Sequence, residues 1–597
     1  MNTNRELSRI FGEMATMLEM DEVAWKPRAY RTAAESISAL DRDIRDIYEK
    51  EGKNGIRSIA GVGYSISDHV IEYLKNGAIK HFDQLRRKYP ESLTILADLP
   101  SLGPHRVKAL LEGLDVRSAD DLRKAVKAHK VQKIPGFGQK LETEIGEALE
   151  GGIHARLRLD EALPIAEEIV AYLHANAPMR HLYYAGSLRR SKETAGDIDM
   201  IAVSAKPEKA MDAFTAMPMV EKVLAKGNTK SAVILREKHI QVDLRIIPPE
   251  AYAAALVYFT GNRDHNIALR NVAIKKGYKL SEYGLFKGAS AKPIHLETEE
   301  ALYKKLGFTY IDPELRENRG ELEAAKNGKL PRLIVKTDIK GDLHIHSRFS
   351  DGQAPIEHMV KAAEKLGHEY IAITDHSPSL KIARGLTERR LMQQWEEIDE
   401  VAKKSKIKIL KGAEVDILAD GTLDYPEKIL NELDIVIGSV HSHFKMDREE
   451  MTARLTKALK NPYLLILGHP TGRLINERTG YEADWGQVFK TAAENGKILE
   501  ISAQPDRLDL NDEHIMMAKK LGASFVVNTD SHSVSNLKLM RYGLGQARRG
   551  WLTKKDVLNT KSFKELMKFL DSRKLQMSSI IAKAKKKKTR IPKRLAM

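Results

Sequence analysis

Seven short apolar runs punctuate the second half of the chain: "DLHIH", "YIAITD", "KILKGAEVD", "IVIGSVH", "LLILGH", "KILEIS" and "SFVVNTDS". Each has the Val, Ile and Leu content of a strand buried on both faces, and each is followed by a helical or turn segment. Strands that alternate with helices pair in parallel, because the crossover helix returns the chain to the same end of the sheet. The pattern predicts a βα barrel, with an open doubly wound sheet as the alternative. Six of the runs end on or near His344 and His346, Asp375 and His376, Glu414, His441 and His443, His469, and Asp530 and His532, and Asp351 lies in the loop after the first. In a barrel these positions form the rim at the C-terminal strand ends, where loops build active sites. A lone histidine on an apolar face is more often packed core than a ligand. So many imidazoles and carboxylates converging on one mouth require cations to hold them together. The chain has no cysteine, so thiolate sites are excluded and any metal must be held by His, Asp, Glu or backbone oxygen. Mixed imidazole and carboxylate ligation suits Zn²⁺, Mn²⁺ or Fe²⁺.

A chain of 597 residues, 42% hydrophobic, has room for roughly three to five domains. Its 98 Lys and Arg against 82 Asp and Glu give a net charge of +16, which favours a polyanionic partner, either nucleic acid or an anionic membrane surface. No run approaches the length of a membrane span and the first residues are too charged for a signal peptide. A soluble cytoplasmic protein, associated with the nucleoid and monomeric, is expected. From Glu6 to about Leu85 the apolar spacing is helical. Three segments, "SIAGVGYSISDHV", "DLPSLGPHRVKALL" and "KIPGFGQKLETEI", repeat one plan: a helix end, a tight glycine turn and a new helix. Short β runs follow, "LYYAG", "IDMIAV", "AVILRE" and "IQVDLRII", closed by Pro248 and Pro249. The charged segment "ENRGELEAAKNGKLPR" reads as a weakly structured linker, and the basic end "AKAKKKKTRIPKR" as an unstructured tail, solubilising or grazing DNA.

Within the β runs lies "AGSLRRSKETAGDIDMIA". Strand alternation puts Asp197 and Asp199 on one face with Ile198 toward the core. Asp243, on another predicted strand, completes a three-carboxylate cluster. Oxygen-only ligation favours Mg²⁺ or Mn²⁺, and a pair of such ions is what phosphoryl and nucleotidyl transfer requires. Gly186, Ser187, Arg190 and Gly196 offer backbone amides, a hydroxyl and a guanidinium to a triphosphate. A lone D-x-D is usually a turn or a cap, but G-S-x-R-R followed by G-D-x-D is far more specific. This arrangement resembles the nucleotidyltransferase palm of family X DNA polymerases, and "YFTGNRDHNIALRNVAIKKGYKLSEYGLF" is similar to that family's thumb. The resemblance implies that Tyr258 and Phe259 sit beside the incoming sugar with Gly261, that Asn266 contacts the incoming base, and that Arg270 approaches the template.

The three glycine turns then read as helix-hairpin-helix elements, which present backbone N–H groups to phosphates through Gly61 and Gly63, Gly103, and Gly136 and Gly138. Lys26 and Tyr30 match a family pocket for a 5′-phosphate. Ser65 and His69 stand where relatives with lyase activity carry lysines, so gap binding without efficient lyase chemistry is expected. The second half resembles the PHP (polymerase and histidinol phosphatase) domain, a distorted (β/α)7 barrel. That resemblance implies up to three divalent metals held by His344, His346, Asp351, His376, Glu414, His441, His469, Asp530 and His532, and phosphoester hydrolysis.

The expected organisation is multidomain: all-α helix-hairpin-helix domains over 1–85 and 86–150, an α+β palm over 151–250, a thumb over 251–318, a linker over 319–337, the PHP barrel over 338–572 and a basic tail over 573–597. The expected activity is template-directed synthesis on gapped or primed DNA with dNTPs, joined to 3′-end hydrolysis and incision at abasic sites. Two rivals remain at this stage: a DNA-binding half tethered to a small-molecule phosphatase, and a non-catalytic scaffold for DNA gaps.

Overall fold

The structure is a computed structural model and describes residues 3–38, 40, 42–98, 102–150, 156–288 and 290–589. It divides into two compact units, Met1–Leu157, Glu161–Arg190 and Thr194–Leu330 in one, and Arg158–Asp160, Ser191–Glu193 and Pro331–Met597 in the other. Among the described residues no helix is long and apolar enough to cross a membrane.

The first unit begins with helices that bury one continuous apolar cluster, from Leu7, Phe11 and Met14 through Ile66 and Val70 to Val107, Leu122 and Ile145. The first and third glycine turns share one geometry. Val62 N donates to Ile59 O (3.0 Å) and Phe137 N to Ile134 O (2.9 Å), with Gly61 and Gly136 at φ of +78° and +85°. A side chain at Gly61 would stand 2.7 Å from Thr32 Cγ2, so the turn takes glycine for both conformation and space. The second turn falls partly on 99–101, outside the described residues. The helices that follow, Tyr64–Asn76 and Pro104–Leu114, start from Gly63 and Gly103 with no side-chain cap, which leaves first-turn N–H groups for an anion.

A five-stranded mixed sheet follows, ordered Met179–Tyr184, Asp197–Ser204, Gln241–Ile246, Lys230–Leu235 and Val220–Lys226. Asp197–Ser204 and Gln241–Ile246 run parallel, the other pairs antiparallel. Val220–Lys226 is a strand the sequence pattern does not mark, because its residues after Val220 are all exposed, and charged and apolar ones follow no alternation. The segment read as a weakly structured linker is instead packed as far as Lys326: helix Glu321–Lys326 buries Glu321. The Glu321 carboxylate sits 2.6 Å from His265 Nδ1 and accepts from the backbone N–H of Asn318 and Arg319. A buried carboxylate is tolerated when it is this fully bonded, and composition does not reveal such pairing.

In the second unit seven parallel strands follow one another in sequence order: Gly341–Ile345, Tyr370–Ile373, Lys408–Asp416, Ile435–Ser439, Ile466–Leu467, Ile498–Ser502 and Ser524–Asn528. A parallel bridge between Ile345 and Ser531 joins the first strand to the last, and His346 N donates to Ser531 O (2.8 Å). The barrel is therefore nearly closed, and the open doubly wound alternative is set aside. Leu343, Tyr370, Leu410, Leu465, Ile498 and Val526 pack with Leu566 and Leu570 of helix Phe563–Thr589. Tyr370, Leu410 and Ile498 lie at or near the N-terminal ends of their strands, so the last helix covers the end opposite the histidines. That helix runs on through Thr589, into the segment expected to lack structure, because Ala and Lys are strong helix formers. Residues 590–597 lie outside the described residues.

Candidate active sites

In the first unit, strand register sets the acidic cluster. Asp199 stands directly opposite Asp243 and Asp197 opposite Gln241 on the adjacent parallel strand. Asp197 is exposed and Asp243 buried. The Asp199 carboxyl is pushed up to about 6 by burial first, then by Asp197 and Asp243, with Arg245 and Lys230 opposing. Asp243 is held by Lys230 Nζ (2.8 Å) and Gln241 Nε2 (2.7 Å). The cluster already attracts a cation, and its all-oxygen donor set fits Mg²⁺ or Mn²⁺. Lys230, Gln241 and Arg245 were missed in the sequence, although Gln241, Asp243 and Arg245 alternate along one strand and so share a face.

Gly186 sits at φ +58° with the Asp199 Oδ2 only 2.9 Å from where its Cβ would be. The turn therefore lies against the carboxylates, with Ser187 in the short helix Gly186–Arg189 beside it and Gly196 at the entry to the acidic strand. Arg190 is engaged elsewhere: Nε donates to Glu317 (3.0 Å) and Nη1 to the Thr260 carbonyl (2.7 Å). Arg189 donates to both oxygens of Glu299 (2.9 and 2.6 Å) and to Thr260 Oγ1 (2.6 Å). The fully buried Arg316 donates to the same Glu299 (2.7 Å). Burial works against the Glu299 carboxylate, but Arg316 and Arg189 outweigh it and hold its pKa at about 2. The two arginines of the motif thus tie the Gly-Ser turn to the thumb. Tyr258 and Phe259 meet edge to face at 5.1 Å. A side chain at Gly261 would clash with Asn266 Oδ1 (2.7 Å), and Asn266 Nδ2 donates to the Tyr258 carbonyl (2.6 Å). Arg270 is exposed.

In the helical region Tyr30 Oη lies 2.9 Å from His69 Nδ1, and His69 stacks on His81 with centroids 5.7 Å apart. Burial first, and then His81, lowers the His69 pKa. Lys26 and Ser65 are exposed.

In the second unit the strand ends bring eight of the nine expected ligands into three overlapping groups: His346, Asp351, His376 and His532; His344, His346 and Asp530; and His376, Glu414 and His441. His469 Nε2 lies 2.9 Å from Glu414 Oε1, which places the ninth at the same mouth. Separations such as His344 Nε2 to Glu414 Oε2 (3.4 Å), His346 Nε2 to Asp530 Oδ1 (3.1 Å), His441 Nε2 to Glu414 Oε1 (3.3 Å) and His532 Nε2 to Asp351 Oδ2 (3.4 Å) recur. Two donors each about 2.0–2.2 Å from one tetrahedral ion stand roughly 3.3–3.5 Å apart. His344 Nε2, both His346 nitrogens, His376 Nδ1, Glu414 Oε2 and Asp530 Oδ1 are buried without a hydrogen-bond partner. Orphaned polar atoms this costly to bury fit shared divalent ions.

Electrostatics carry the same signature. Burial lowers the His346 pKa to about 3, reinforced by His532 and His376, whose rings stack on it at 4.2 and 4.4 Å. Burial also opposes the His376 and His532 imidazoliums, but Glu414 and Asp351 respectively carry them up to about 10 and about 9. Glu414 and Asp530 are disfavoured by burial, yet the surrounding imidazoles hold both far below the usual carboxylate range. Protons are distributed where cations fit, and divalent ions would replace them.

Behind these residues lies a shell of further carboxylates, of which the sequence pattern offers Asp375 but not Glu500 or Asp416. Glu500 Oε1 is 2.8 Å from His344 Nδ1 and its Oε2 accepts from His469 N (2.7 Å). Asp416 Oδ1 is 2.5 Å from His441 Nδ1. Asp375 accepts from Ser347 N (2.8 Å) and from the Ser347, Ser350 and Gln394 side chains. Glu500 and Asp416, each on a ring nitrogen, fix the tautomer and aim of His344 and His441. The available signal was the lone acid inside an apolar run, as in "KILEIS". His443 is exposed at φ +57°, outside the three groups. Gln504 Nε2 donates to the Asp530 carbonyl (2.6 Å), and Arg507 is half-buried.

Helical hairpins, a carboxylate-bearing mixed sheet with its thumb, and a nearly closed barrel with a histidine mouth together define a DNA polymerase joined to a metal-dependent phosphoesterase. Family matches divide the chain in the same way: a helix-hairpin-helix domain over 2–79, a helix-hairpin-helix tandem over 93–150, the DNA polymerase beta thumb over 255–317 and a PHP domain over 342–504. The chain belongs to the family X DNA polymerases with a C-terminal PHP domain. It is 39% identical over 571 residues, 95% of this chain and 99% of the relative, to the DNA polymerase/3′-5′ exonuclease PolX of Bacillus subtilis. A probable phosphatase of Thermoanaerobacter matches at 33% identity over 37% of this chain and 89% of its own. DNA polymerase lambda of Rattus norvegicus matches at 22% over 53% of this chain and 56% of its own.

Proposed function

We propose that the chain fills short gaps during DNA repair of the base-excision type and trims or unblocks 3′ ends with its PHP domain, incising abasic sites as well. The single observation that supports the polymerase assignment is the register that sets Asp199 opposite Asp243 with its carboxyl raised to about 6. Asp197, Asp199 and Asp243 would hold Mg²⁺ or Mn²⁺, which supply charge neutralisation at the phosphates and acidify the primer 3′-OH. The turn Gly186–Ser187, with Gly196, cradles the triphosphate. Tyr258, Phe259 and Gly261 border the sugar, Asn266 faces the base, and Arg270 touches the template. Arg189 and Arg190 fix the turn through Glu299 and Glu317.

In the barrel, His344, His346, Asp351, His376, Glu414, His441, His469, Asp530 and His532 would hold up to three divalent ions, Zn²⁺, Mn²⁺ or Fe²⁺, which supply an acidified water and neutralise phosphoryl oxygens. Glu500 and Asp416 orient His344 and His441. Helical regions to 150, palm 151–250, thumb 251–318 and barrel 338–572 serve as modules of one monomer that works at the nucleoid. Gly61, Gly63, Gly103, Gly136 and Gly138 present amides to DNA phosphates, and Lys26 with Tyr30 receives a 5′-phosphate.

The deciding assay uses gapped duplex with and without dNTPs, in Mg²⁺ and in Mn²⁺, on wild type, Asp199→Ala and His344→Ala. Loss of extension alone in the first variant and of 3′ hydrolysis alone in the second is expected. Extension by Asp199→Ala would overturn the palm assignment. The similarity of the barrel to a probable phosphatase gives a second reading, a small-molecule phosphatase. Faster hydrolysis of a small phosphomonoester than of a 3′-ended oligonucleotide would favour it.

A further inference from the structure

The strand Tyr370–Ile373 leads into a loop, Ser377–Leu386, whose tip neither the ligand set nor its supporting shell uses. Both ends of this loop are fastened to ligand residues. Ser377 N donates to Glu414 O (2.9 Å) and Leu386 N to His376 O (2.7 Å). Its first limb is tied again where Ser379 Oγ donates to Asp416 Oδ2 (2.6 Å), the carboxylate that orients His441. The tip is bonded to itself through Arg384 N to Lys381 O (2.9 Å) and Gly385 N to Leu380 O (3.1 Å). A side chain at Gly385 would meet Ser377 O at 1.9 Å, so the limbs touch. At this fixed tip Ala383 and Leu386 turn inward and are buried, whereas Ile382 is 92% exposed, the highest of the exposed large hydrophobics among the described residues. Lys381 and Arg384 flank it, exposed, with no ion pair among the described residues. An apolar side chain held outward by a rigid loop between two free cations is not packing anything in this chain.

Resting on the reading that the barrel hydrolyses DNA 3′ ends, we propose that Ile382 is a wedge that parts the terminal base pair, while Lys381 and Arg384 hold the flanking phosphates. His344, His346 and Glu414 are buried, so a phosphodiester must be delivered by a strand released from its partner, as for other enzymes that act on groups held inside a duplex. Apolar wedges unstack base steps in this way, and basic side chains hold the backbone without reading sequence. The chain length from His376 confines the tip to within about 20 Å of the ligands, the span of a few unpaired nucleotides.

The test measures 3′ hydrolysis by the full chain in Mn²⁺ on a paired 3′ end in gapped duplex, on the same end carrying a terminal mismatch, and on the single-stranded oligonucleotide. Ile382→Ala should slow the paired end roughly tenfold, leave the single strand within about twofold, and recover on the mismatch; Ile382→Leu should behave as wild type. Extension by the palm reports that the variants are folded. Equal slowing on all three substrates, or no slowing on any, overturns the wedge. Failure of the wild type to hydrolyse any of them overturns the exonuclease reading, and the wedge with it.

Discussion

The two acidic sites differ in how completely the protein builds them. The palm offers three carboxylates on the face of two parallel strands, one of them exposed, with Lys230 and Gln241 steadying Asp243. The barrel mouth surrounds its ligands with buried carboxylates, Glu500 and Asp416 among them, each aimed at a second imidazole nitrogen. A sparse, wet site suits ions that arrive with a substrate bearing its own phosphate ligands, whereas a closed site with an oriented outer shell holds its ions before substrate comes. On the proposed metal assignments, the difference would separate a transient centre from a standing one.

The largest effect that would break this contrast is loss of a carboxylate. Asp199→Asn should reduce extension by at least about three orders of magnitude while 3′ hydrolysis persists, measured on one gapped substrate. Because the folded-state pKa of Asp199 is raised above 3.8, the folded protein binds the proton more tightly than the unfolded chain, and stability falls as pH rises from about 4 to about 6. The same substitution should therefore raise the melting temperature in chelator above pH 6 by several degrees, a gain of at most about 3 kcal/mol.

Next in size, Glu500→Gln should weaken metal retention in the barrel ~10–100-fold with extension unchanged, read as the metal concentration that restores 3′ hydrolysis. Breaking the buried Arg316–Glu299–Arg189 network with Glu299→Gln should cost about 3–5 kcal/mol and loosen the Gly-Ser turn, read as lower stability and a higher KM for dNTP. A smaller effect comes from acid. Extension should decline as pH falls through about 6, because protonation of Asp199 competes with the cation.

Much of the barrel mouth was legible because eight of its nine residues, all but Asp351, fall at or just after the end of an apolar run, where a buried His or Asp has few other uses. Glu500 was not legible. One acid inside "KILEIS" carries no spacing, and its partner His344 lies 156 residues away. The Arg189–Glu299 pair, 110 residues apart, was hidden for the same reason, so Arg190 was read as a phosphate ligand although the fold gives it Glu317. Composition misled twice. Charge density suggested a loose linker where Glu321 is buried against His265, and a run of lysines suggested disorder where Ala and Lys continue a helix. Strand period and terminal chemistry are local signals, whereas the pairing of buried charges is set only when distant segments meet.

The contrast between a transient and a standing metal centre is tested most directly by counting metal bound to the full chain after exhaustive gel filtration, in wild type, Asp199→Ala and His344→Ala. Up to three ions should remain on wild type and on Asp199→Ala, and fewer on His344→Ala. A wild type stripped of metal, or a loss in Asp199→Ala equal to that in His344→Ala, would contradict the account.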